Sequence, residues 1–427
     1  MNKAFPITLV LISLTALSTV DAEPLGEAVP NSWVSKAPMH VARSSLGVAV
    51  VNGKIYAIGG ANGSELWPNV GRIMGTNEEY DPATNTWTYK APMPTQRYGF
   101  AIAVYENKIY CIGGIKNYTK ATGYEVTGAN EVYNPITNTW ETKTSMRTPR
   151  SHLAANVVHD KIYLIGAATL NEVYDPASDS WTTKAPMPNE ASGYASAVFD
   201  NRIYIFGGLS EDNLHVLNQI YDPETNRWSY GASPPNLPSS LYGRQGNPAA
   251  AATTGAMANK RIYYIVNAVP YSVQIYNPES DSWSNGTSIL TNRGDLGVAV
   301  LIDTLHAIGG STCHYLYPDD TFGVSVAEYA VNEQYTPLGY GTPDPSYQSP
   351  SPSPAPSLSL SPTPTPTQTP TLPPSLQTPN PSASPSPQAT ENTVQSAGEF
   401  PFAAAAVAIV AVVSATVFAL FLRKKRK

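Results

Sequence analysis

The sequence predicts an all-β fold in which a four-strand unit recurs six times along the middle of the chain. Two observations predict it: a tyrosine stands seven residues before a tryptophan in unit after unit, and an apolar run ending in small residues precedes each such pair. Repeats of this length are typical of architectures in which every unit is one small sheet. A third observation separates the flanks, because 16 of the 39 prolines fall within residues 342–390.

The tyrosine–tryptophan pairs set the period of the repeat, with successive tryptophans 41 to 55 residues apart. The stretch between the two aromatics, such as Asp-Pro-Ala-Thr-Asn at 81–85, favours a turn, because proline presets φ and Asx side chains bond nearby backbone. The pairs are Tyr80/Trp87, Tyr133/Trp140, Tyr174/Trp181, Tyr221/Trp228 and Tyr276/Trp283.

Each unit contains four strand-like runs. In the first unit, residues 47–51 and 55–60 flank an Asn52-Gly53 hairpin signal, and residues 77–80 and 87–90 supply the third and fourth strands. The second run usually ends in Gly-Gly, which suits a place where chains approach closely. The third and fifth units have Gly166-Ala167 and Val266-Asn267 instead, so we expect slight distortion of their second strands.

Units of this length with a Gly-Gly, Tyr and Trp pattern resemble the kelch repeat, and the resemblance covers about residues 31–336. It implies a six-bladed β-propeller with one unit per blade, spanning residues 31–341. The sixth unit has Tyr329 as its apparent tyrosine and Thr336 in place of tryptophan. Since residues 31–39 read like residues 85–93, we expect the N-terminal strand to complete the last blade. The repeat tyrosines and tryptophans are then core residues without a binding role.

The N-terminus predicts a secretory signal peptide over residues 1–22, followed by a short lead at 23–30. Lys3 provides a basic start, residues 7–17 form a short apolar core, and small residues end the segment. The core is too short for a membrane-spanning helix.

The C-terminus predicts a single-pass membrane anchor. Residues 402–422 carry no charge and would form a helix of about 31 Å, and five basic residues at 423–427 favour a cytoplasmic tail. The expected topology is type I, in the cell membrane with the propeller outside. A sorting signal that is later removed is the alternative.

A Pro/Ser/Thr-rich stalk is predicted over residues 342–401. Its proline-rich part has one charge, Asp344, and too few apolar residues for a core, so it should stay extended and partly polyproline-like. Stalk, span and basic tail together resemble those of archaeal cell-surface kelch proteins.

Composition excludes several classes of function. A net charge of −6 argues against nucleic-acid binding, and 2 Cys with 6 scattered His argue against a structural metal site. Without Lys3, Asp21 and the five tail cations, 20 cations and 31 anions leave residues 23–422 at −11. No catalytic motif is found, so we assign no catalytic residue and no cofactor. A disulfide between Cys111 and Cys313 is not favoured.

Three long loops, at residues 61–79, 115–132 and 311–328, belong to the consecutive blades 1, 2 and 6 and should open on the same face. Aromatic side chains in loops on a rigid scaffold are candidate contact residues. The alternative is that they only fold the loops onto themselves. The candidates are Trp67, Tyr118, Tyr315 and Tyr317.

Four arginines share one repeat position, twelve residues before the apolar start of the second strand. In kelch propellers that bind acidic peptides, arginines at this place line the pocket, so the resemblance implies ligand binding here. The alternative, which we favour, is a repeat residue that bonds carbonyl groups of the neighbouring blade. Ala191 and Ala250 interrupt the pattern in blades 4 and 5. The arginines are Arg43, Arg97, Arg150 and Arg293.

Three glycosylation sequons begin at Asn62, Asn117 and Asn285, and the first two lie in long loops, where glycans would cover part of the candidate face. The expected function is a non-catalytic binding or adhesion module for protein or carbohydrate ligands at the cell surface. Two alternatives stay open. One is an exported sugar-modifying enzyme, since some bacterial sialic-acid mutarotases are six-bladed kelch propellers; the other is a structural component of the cell envelope.

Overall fold

The computed structural model describes residues 29–62, 72–119, 123–191, 193–208, 217–235, 248–266, 273–315 and 324–347. Within these ranges the chain is all β, and no helix is long and apolar enough to cross a membrane. The predicted signal peptide, the stalk beyond residue 347, the predicted span 402–422 and the basic tail lie outside the described residues.

The described residues form thirty β-strands. The first ten are β1 Ser32–Lys36, β2 Gly47–Val51, β3 Lys54–Ile58, β4 Ala61–Asn62, β5 Arg72–Ile73, β6 Asn77–Asp81, β7 Thr86–Lys90, β8 Ala101–Tyr105, β9 Lys108–Ile112 and β10 Ile115–Thr119. The next ten are β11 Gly123–Val126, β12 Asn130–Asn134, β13 Thr139–Lys143, β14 Ala154–Val158, β15 Lys161–Ile165, β16 Asn171–Asp175, β17 Ser180–Thr183, β18 Ala195–Phe199, β19 Arg202–Phe206 and β20 Asn218–Asp222. The last ten are β21 Arg227–Gly231, β22 Ala249–Ala252, β23 Ile262–Ile265, β24 Val273–Asn277, β25 Ser282–Asn285, β26 Gly297–Leu301, β27 Thr304–Ile308, β28 Ser311–Tyr315, β29 Val324–Glu328 and β30 Asn332–Thr336.

Six antiparallel four-stranded sheets form the blades of a closed ring. From the centre outward they are β2-β3-β6-β7, β8-β9-β12-β13, β14-β15-β16-β17, β18-β19-β20-β21, β22-β23-β24-β25 and β26-β27-β30-β1. Each innermost strand packs against the innermost strands of both neighbouring blades, including β26 against β2. The structure is therefore the six-bladed propeller that the repeat predicts.

The N-terminal strand closes the ring, as predicted. β1 pairs antiparallel with β30, and this register sets Trp33 opposite Tyr335 just as Trp87 stands opposite Tyr80 in blade 1. The tyrosine of the sixth repeat is therefore Tyr335, and the assignment to Tyr329 was wrong. The cause is the hairpin β28/β29, which lengthens this unit and displaces the third strand along the chain.

In blades 1, 2, 3, 4 and 6 the inner hairpins turn with positive φ at both central residues, at 51° for Asn52 and 72° for Gly53 in blade 1. This is the backbone of the two-residue hairpin turn that Asn-Gly predicts. In blade 3 the second strand Lys161–Ile165 is regular, and the positive φ falls on Ala167 and Ala168 after it. Alanine rarely adopts a left-handed conformation, so the absence of the second glycine strains Ala167 and Ala168 after the strand and leaves the strand itself regular.

Adjacent blades are joined by a hydrogen-bond pattern that occurs six times. In blade 1, Trp87 Nε1 donates to the carbonyl of Ala37 at 2.7 Å. The Asn85 side-chain oxygen accepts from Ala37 N at 2.9 Å and from the Tyr80 hydroxyl at 2.8 Å. Asn85 has φ 53°, which Asn tolerates better than most residues. A short Asx side chain tolerates the left-handed backbone and also supplies the acceptor oxygen. The same position holds Asn31, Asn138, Asp179, Asn226 and Asp281 in the other blades.

The hydrophobic core is divided into six clusters, one at each boundary between blades. A second-strand tyrosine packs on the third-strand tyrosine of the next blade, as Tyr56 does on Tyr133 with ring centroids 5.9 Å apart. Blade 6 departs from this pattern, because His306 takes the tyrosine position and lies 5.9 Å from Tyr80. The repeat aromatics therefore belong to the core, as expected.

The chain leaves the propeller on the face opposite the Gly-Gly turns. Residues 337–347 follow β30 and lie along the loop 253–261, where Gly341 N donates to Met257 O at 2.7 Å and Asp344 N to Gly255 O at 2.8 Å. The Asp344 carboxylate accepts from Lys260 N at 3.0 Å. The first residues of the predicted stalk, including Asp344, are thus docked on blade 5.

Candidate binding face

Three β-hairpins rise from one face of the propeller on consecutive blades. They are β4/β5 on blade 1, β10/β11 on blade 2 and β28/β29 on blade 6, within the three loops that the sequence marks as long. Single bridges tie each hairpin to the chain entering the inner strand of its own blade: Ser44 with Ala61, Tyr98 with Ile115, and Gly294 with Ser311. The hairpins therefore stand on one half of the ring.

The predicted aromatic contacts are partly visible on these hairpins. Tyr118 and Tyr124 are cross-strand partners with ring centroids 4.8 Å apart, and Tyr124 is 51% exposed. Tyr315 lies in β28 opposite Val324, and Trp67 and Tyr317 lie outside the described residues. The described part of this face thus presents Tyr124 to solvent, packed against the half-buried Tyr118.

The three sequon asparagines differ in their surroundings. Asn117 and Asn285 are exposed, whereas Asn62 is half-buried and its Nδ2 donates to Ala42 O at 2.7 Å. An N-linked glycan would be attached to that same nitrogen of Asn62. Only Asn117 and Asn285 are therefore placed for modification without rearrangement. Glycosylation stays a prediction for all three.

The four repeat arginines are buried inside their own blades. Arg43 Nη1 lies 2.5 Å from the Glu78 carboxylate and its Nη2 donates to Ala57 O at 2.9 Å. Arg97 binds the Glu131 carboxylate, and its Nη2 donates to Cys111 O at 2.8 Å. Arg150 with Glu172 and Arg293 with Glu333 repeat the arrangement at 2.6 and 2.8 Å.

This burial leaves the arginines no surface for a ligand. Arg43, Arg97 and Arg293 are 0% exposed and Arg150 is 4% exposed. Desolvation lowers the pKa of Arg43, and the adjacent Glu78 carboxylate opposes that shift. The geometry agrees with a structural role, except that the bonded carbonyls belong to the same blade and not to the neighbouring one. These four arginines are therefore not proposed as ligand contacts.

The repeat itself shows that the arginine and glutamate act as a unit. In blade 4, where Ala191 takes the arginine position, the glutamate position holds Gln219, whose side chain bonds both backbone groups of Asn189 at 2.9 and 3.0 Å. Blade 5 likewise has Gln274. Ala250, aligned by sequence with the arginines, lies inside β22, because the longer loop 253–261 shifts the register of this blade.

Five left-handed residues, contributed by blades 1, 2, 3, 4 and 6, form a partial ring around the central mouth. Gly99 N donates to Ser45 O at 2.9 Å, His152 N to Gly99 O at 2.7 Å, Gly193 N to His152 O at 3.2 Å, and Ser45 N to Asp295 O at 2.8 Å. All five residues have φ between 51° and 60°. Successive blades thus hold each other by the backbone at the mouth, and the side chains of this ring face a cavity of about 140 Å³.

The mouth gathers polar side chains that sequence reasoning did not single out. His152 lies over Gly99, where an added Cβ would come within 3.1 Å of its Nε2, and its ring meets Tyr98 edge-on at 6.0 Å. Burial lowers the pKa of His152, with Asp295 opposing the shift, and burial raises the pKa of Tyr98. A signal existed, since Ser45, Gly99, His152 and Asp295 all stand two residues after a repeat arginine.

Below the mouth, a channel of about 320 Å³ runs between the six innermost strands. Small apolar side chains of alanine and valine line most of it, and Asn156, which accepts from Ser196 Oγ at 3.0 Å, is a polar exception. Cys111 lies away from this channel, as a free and fully buried thiol whose pKa burial raises to about 12. These surroundings do not favour a reactive thiolate.

Comparison with known proteins agrees with this architecture. Residues 42–94, 96–147 and 190–235 match the family model of the kelch motif. Beta-scruin of Limulus polyphemus is 34% identical over 140 residues, covering 32% of this chain and 14% of that protein. The Kelch-like protein terF of Aspergillus terreus is 35% identical over 144 residues, or 32% of this chain and 30% of that protein.

Two further matches bear on fold and relationship. The influenza virus NS1A-binding protein homolog of Xenopus laevis is 42% identical over 83 residues, covering 19% of this chain and 12% of that protein. The solved structure of YjhT has a TM-score of 0.53 at 14% identity, covering 68% of this chain and 95% of that one. That likeness shows the fold alone. The chain spans 30% or less of the length of these curated relatives.

A ring of six four-stranded blades, closed by its own N-terminal strand, defines a β-propeller. Three of the repeats match the kelch motif. The described residues therefore form a six-bladed β-propeller that contains kelch motifs.

Proposed function

We propose that this chain is a cell-surface binding module that holds a protein or carbohydrate ligand on its hairpin face without catalysing a reaction. The asymmetry of the ring carries the proposal. Three consecutive blades extend into hairpins beside the central mouth, whereas blades 3 and 4 have shorter connections at this position. A raised wall beside a pit provides a concave surface, and rigid scaffolds commonly carry binding residues on such loops.

A protein ligand has the stronger support. The exposed Tyr124, packed against the half-buried Tyr118, offers rigid aromatic area of the kind enriched at protein interfaces. The Xenopus laevis relative is named as a homolog of a protein that binds influenza virus NS1A. The mouth volume of about 140 Å³ lies well below the roughly 300 Å³ at which small-molecule pockets begin, so it suits a partner's side chain better than a whole sugar ring.

The location at the cell surface rests on the predicted signal peptide, stalk and membrane span. The last described residues, 337–347, lie on the face opposite the hairpins, so the described chain ends away from the proposed binding face.

The test compares two tyrosine variants of the full-length protein in lipid nanodiscs. Ligands are selected from a displayed peptide library and from a glycan array, and affinities are then measured for the wild type, Tyr118→Ala/Tyr124→Ala and the control Tyr230→Ala. Tyr230 is 55% exposed, comparable to Tyr124, but lies on the outer strand of blade 4. We expect the hairpin variant to lose at least about tenfold in affinity and the control to be unchanged.

Equal binding by the wild type and both variants would contradict the proposal, as would an equal loss in both. A ligand that the protein converts chemically would favour the sugar-modifying alternative. Labelling of intact cells with an antibody against the propeller tests the location, and signal seen only after permeabilisation would overturn it.

A further inference from the structure

We propose that residues 337–347 act as a latch on blade 5, which holds the inner hairpin of that blade in the ring when docked and lets the blade open locally when released. Three features of the face opposite the hairpins support this assignment. Blade 5 is weakly packed, bonds from its neighbours converge on its loop 253–261, and the latch itself is held by few side chains.

Blade 5 has fewer restraints of its own than a typical blade of this ring. Its innermost strand β22 consists of four alanines, all half-buried, whereas β2 of blade 1 contains three valines and has four buried residues. Smaller side chains bury less apolar area and so hold a strand less firmly. The buried arginine–glutamate pair of blades 1, 2, 3 and 6 is also replaced, because Gln274 takes the glutamate position and its Oε1 meets no donor among the described residues.

The loop between the two inner strands of blade 5, residues 253–261, is bound from both neighbouring blades. The fully buried Asp303 carboxylate of blade 6 accepts from the backbone N of Thr254 at 2.6 Å and from its hydroxyl at 2.7 Å. On the side of blade 4, Lys260 Nζ lies 3.1 Å from Asp200 Oδ1. In the other five blades a two-residue turn makes this connection, so the longer loop provides contacts that those turns do not.

The latch adds its own bonds to the same loop. Asp344 N donates to Gly255 O at 2.8 Å, and the Asp344 carboxylate accepts from Lys260 N at 3.0 Å. The close approach depends on glycine, because a Cβ added at Gly255 would lie 3.1 Å from Asp344 Cβ. Since the latch continues directly from β30, these bonds tie blade 6 to blade 5.

The latch is held mainly by main-chain hydrogen bonds, which suits a contact that opens and closes. Leu338 is 68% exposed, and a Cβ added at Gly339 or Gly341 would meet no atom within 4 Å. Segments with few buried apolar contacts open at a lower free energy than the whole domain unfolds. Release removes the bonds of the latch from loop 253–261. Because Pro248 lines the mouth and directly precedes β22, opening of blade 5 also alters the proposed binding face.

Hydrogen exchange of the full-length protein in lipid nanodiscs, read by mass spectrometry, tests the latch. Asp344→Ala removes the carboxylate, and Gly341→Pro removes the N–H that donates to Met257 O without changing any charge. Each variant should speed the exchange of residues 249–265 by about tenfold, the factor expected for one or two lost hydrogen bonds. Residues 101–112, the inner hairpin of blade 2, should exchange as in the wild type.

The matched control is Asp81→Ala on blade 1. Asp81 Oδ1 accepts from Ala83 N at 2.9 Å, much as Asp344 Oδ1 accepts from Ser346 N at 2.8 Å, so the control removes a similar turn far from the latch. It should leave residues 249–265 at the wild-type rate.

Three results would overturn the assignment. Faster exchange of the latch with no change at residues 249–265 would mean that the segment is docked without holding the blade. Equal acceleration of residues 249–265 and 101–112 would mean that the whole ring is destabilised. An effect of only one of the two latch variants would mean that the segment does not act as a unit.

Discussion

Removing the Arg97 guanidinium should destabilise the propeller severely, and neutralising Glu131 in the same molecule should restore much of the loss. Arg97 is fully buried and binds the Glu131 carboxylate, Cys111 O and Thr95 O. Arg97→Ala therefore leaves a buried carboxylate whose remaining donors are the backbone and hydroxyl groups of Thr95. Breaking a buried pair by removing one partner typically costs about 3 to 5 kcal/mol.

The double variant Arg97→Ala/Glu131→Gln recreates the arrangement that blade 4 already uses. There Gln219 accepts from Asn189 N and donates to Asn189 O, and Ala191 stands at the arginine position. In blade 2 the new glutamine would face the equivalent groups of Thr95, since the arginine no longer occupies the carbonyl. A residual loss of about 1 to 2 kcal/mol is expected from the volume that the arginine side chain leaves behind.

Urea unfolding of the full-length protein, followed by tryptophan fluorescence, measures these differences without adding salt. We expect both single variants to lose about 3 to 5 kcal/mol and the double variant to regain at least about 2 kcal/mol of that loss. Lys161→Ala is the control, because its pair with Asp175 at 2.7 Å lies at the surface, where solvent screens it, and should contribute little to stability. A double variant as unstable as the sum of the two singles would refute the interpretation of the arginine and glutamate as one structural unit.

Three further predictions concern the scaffold. Burial lowers the pKa of His306 to about 4, so the unfolded state binds more protons than the folded state between pH 6.5 and 4, and about 3 kcal/mol of stability should be lost as the pH falls through that window. His306→Tyr, which introduces the residue of the other five blades, should abolish this loss in urea unfolding measured at each pH. Asp344→Ala should speed amide exchange at residues 341 and 344 by at least about tenfold, because the docked segment 337–347 opens, while the Tm changes little; unchanged exchange would contradict the docking. Asn85→Gly keeps the left-handed backbone but removes the acceptor for Ala37 N and Tyr80, so it should lower the free energy of unfolding by about 1 to 3 kcal/mol, and Asn85→Ala should lower it further; equal stability of the two variants would show that the backbone conformation contributes nothing.

The blade count and the ring closure could be predicted because they leave marks in the sequence at a fixed period. Residues 31–39 resemble residues 85–93 but follow no repeat unit of their own, and the sixth unit has no tryptophan for its fourth strand. The two observations together predict that the first strand completes the last blade. The tyrosine of blade 6 could not be located in this way. The hairpin β28/β29 inserts extra residues between the second and third strands, and a nearby Tyr329 imitates the expected position.

The direction in which a repeat side chain points cannot be predicted from its position alone. The arginine position suggested a pocket, but in each case the side chain turns into its own blade and meets a glutamate two residues before the repeat tyrosine. The pairing itself was visible in the sequence. Glutamate becomes glutamine in blades 4 and 5, where the matching arginine is absent, as expected if a buried charge is tolerated only with its partner.

The repeat also supplies a criterion for separating scaffold from site within one chain. A residue that keeps its identity from blade to blade performs the same task six times, as the Asx acceptor and the tryptophan do at every blade boundary. The mouth behaves in the opposite way. Its backbone repeats with φ between 51° and 60°, but the residue changes from Ser45 to Gly99, His152, Gly193 and Asp295. Since only the backbone conformation is repeated there, the side chains of the mouth can differ from blade to blade, as the residues of a binding surface on a rigid scaffold do.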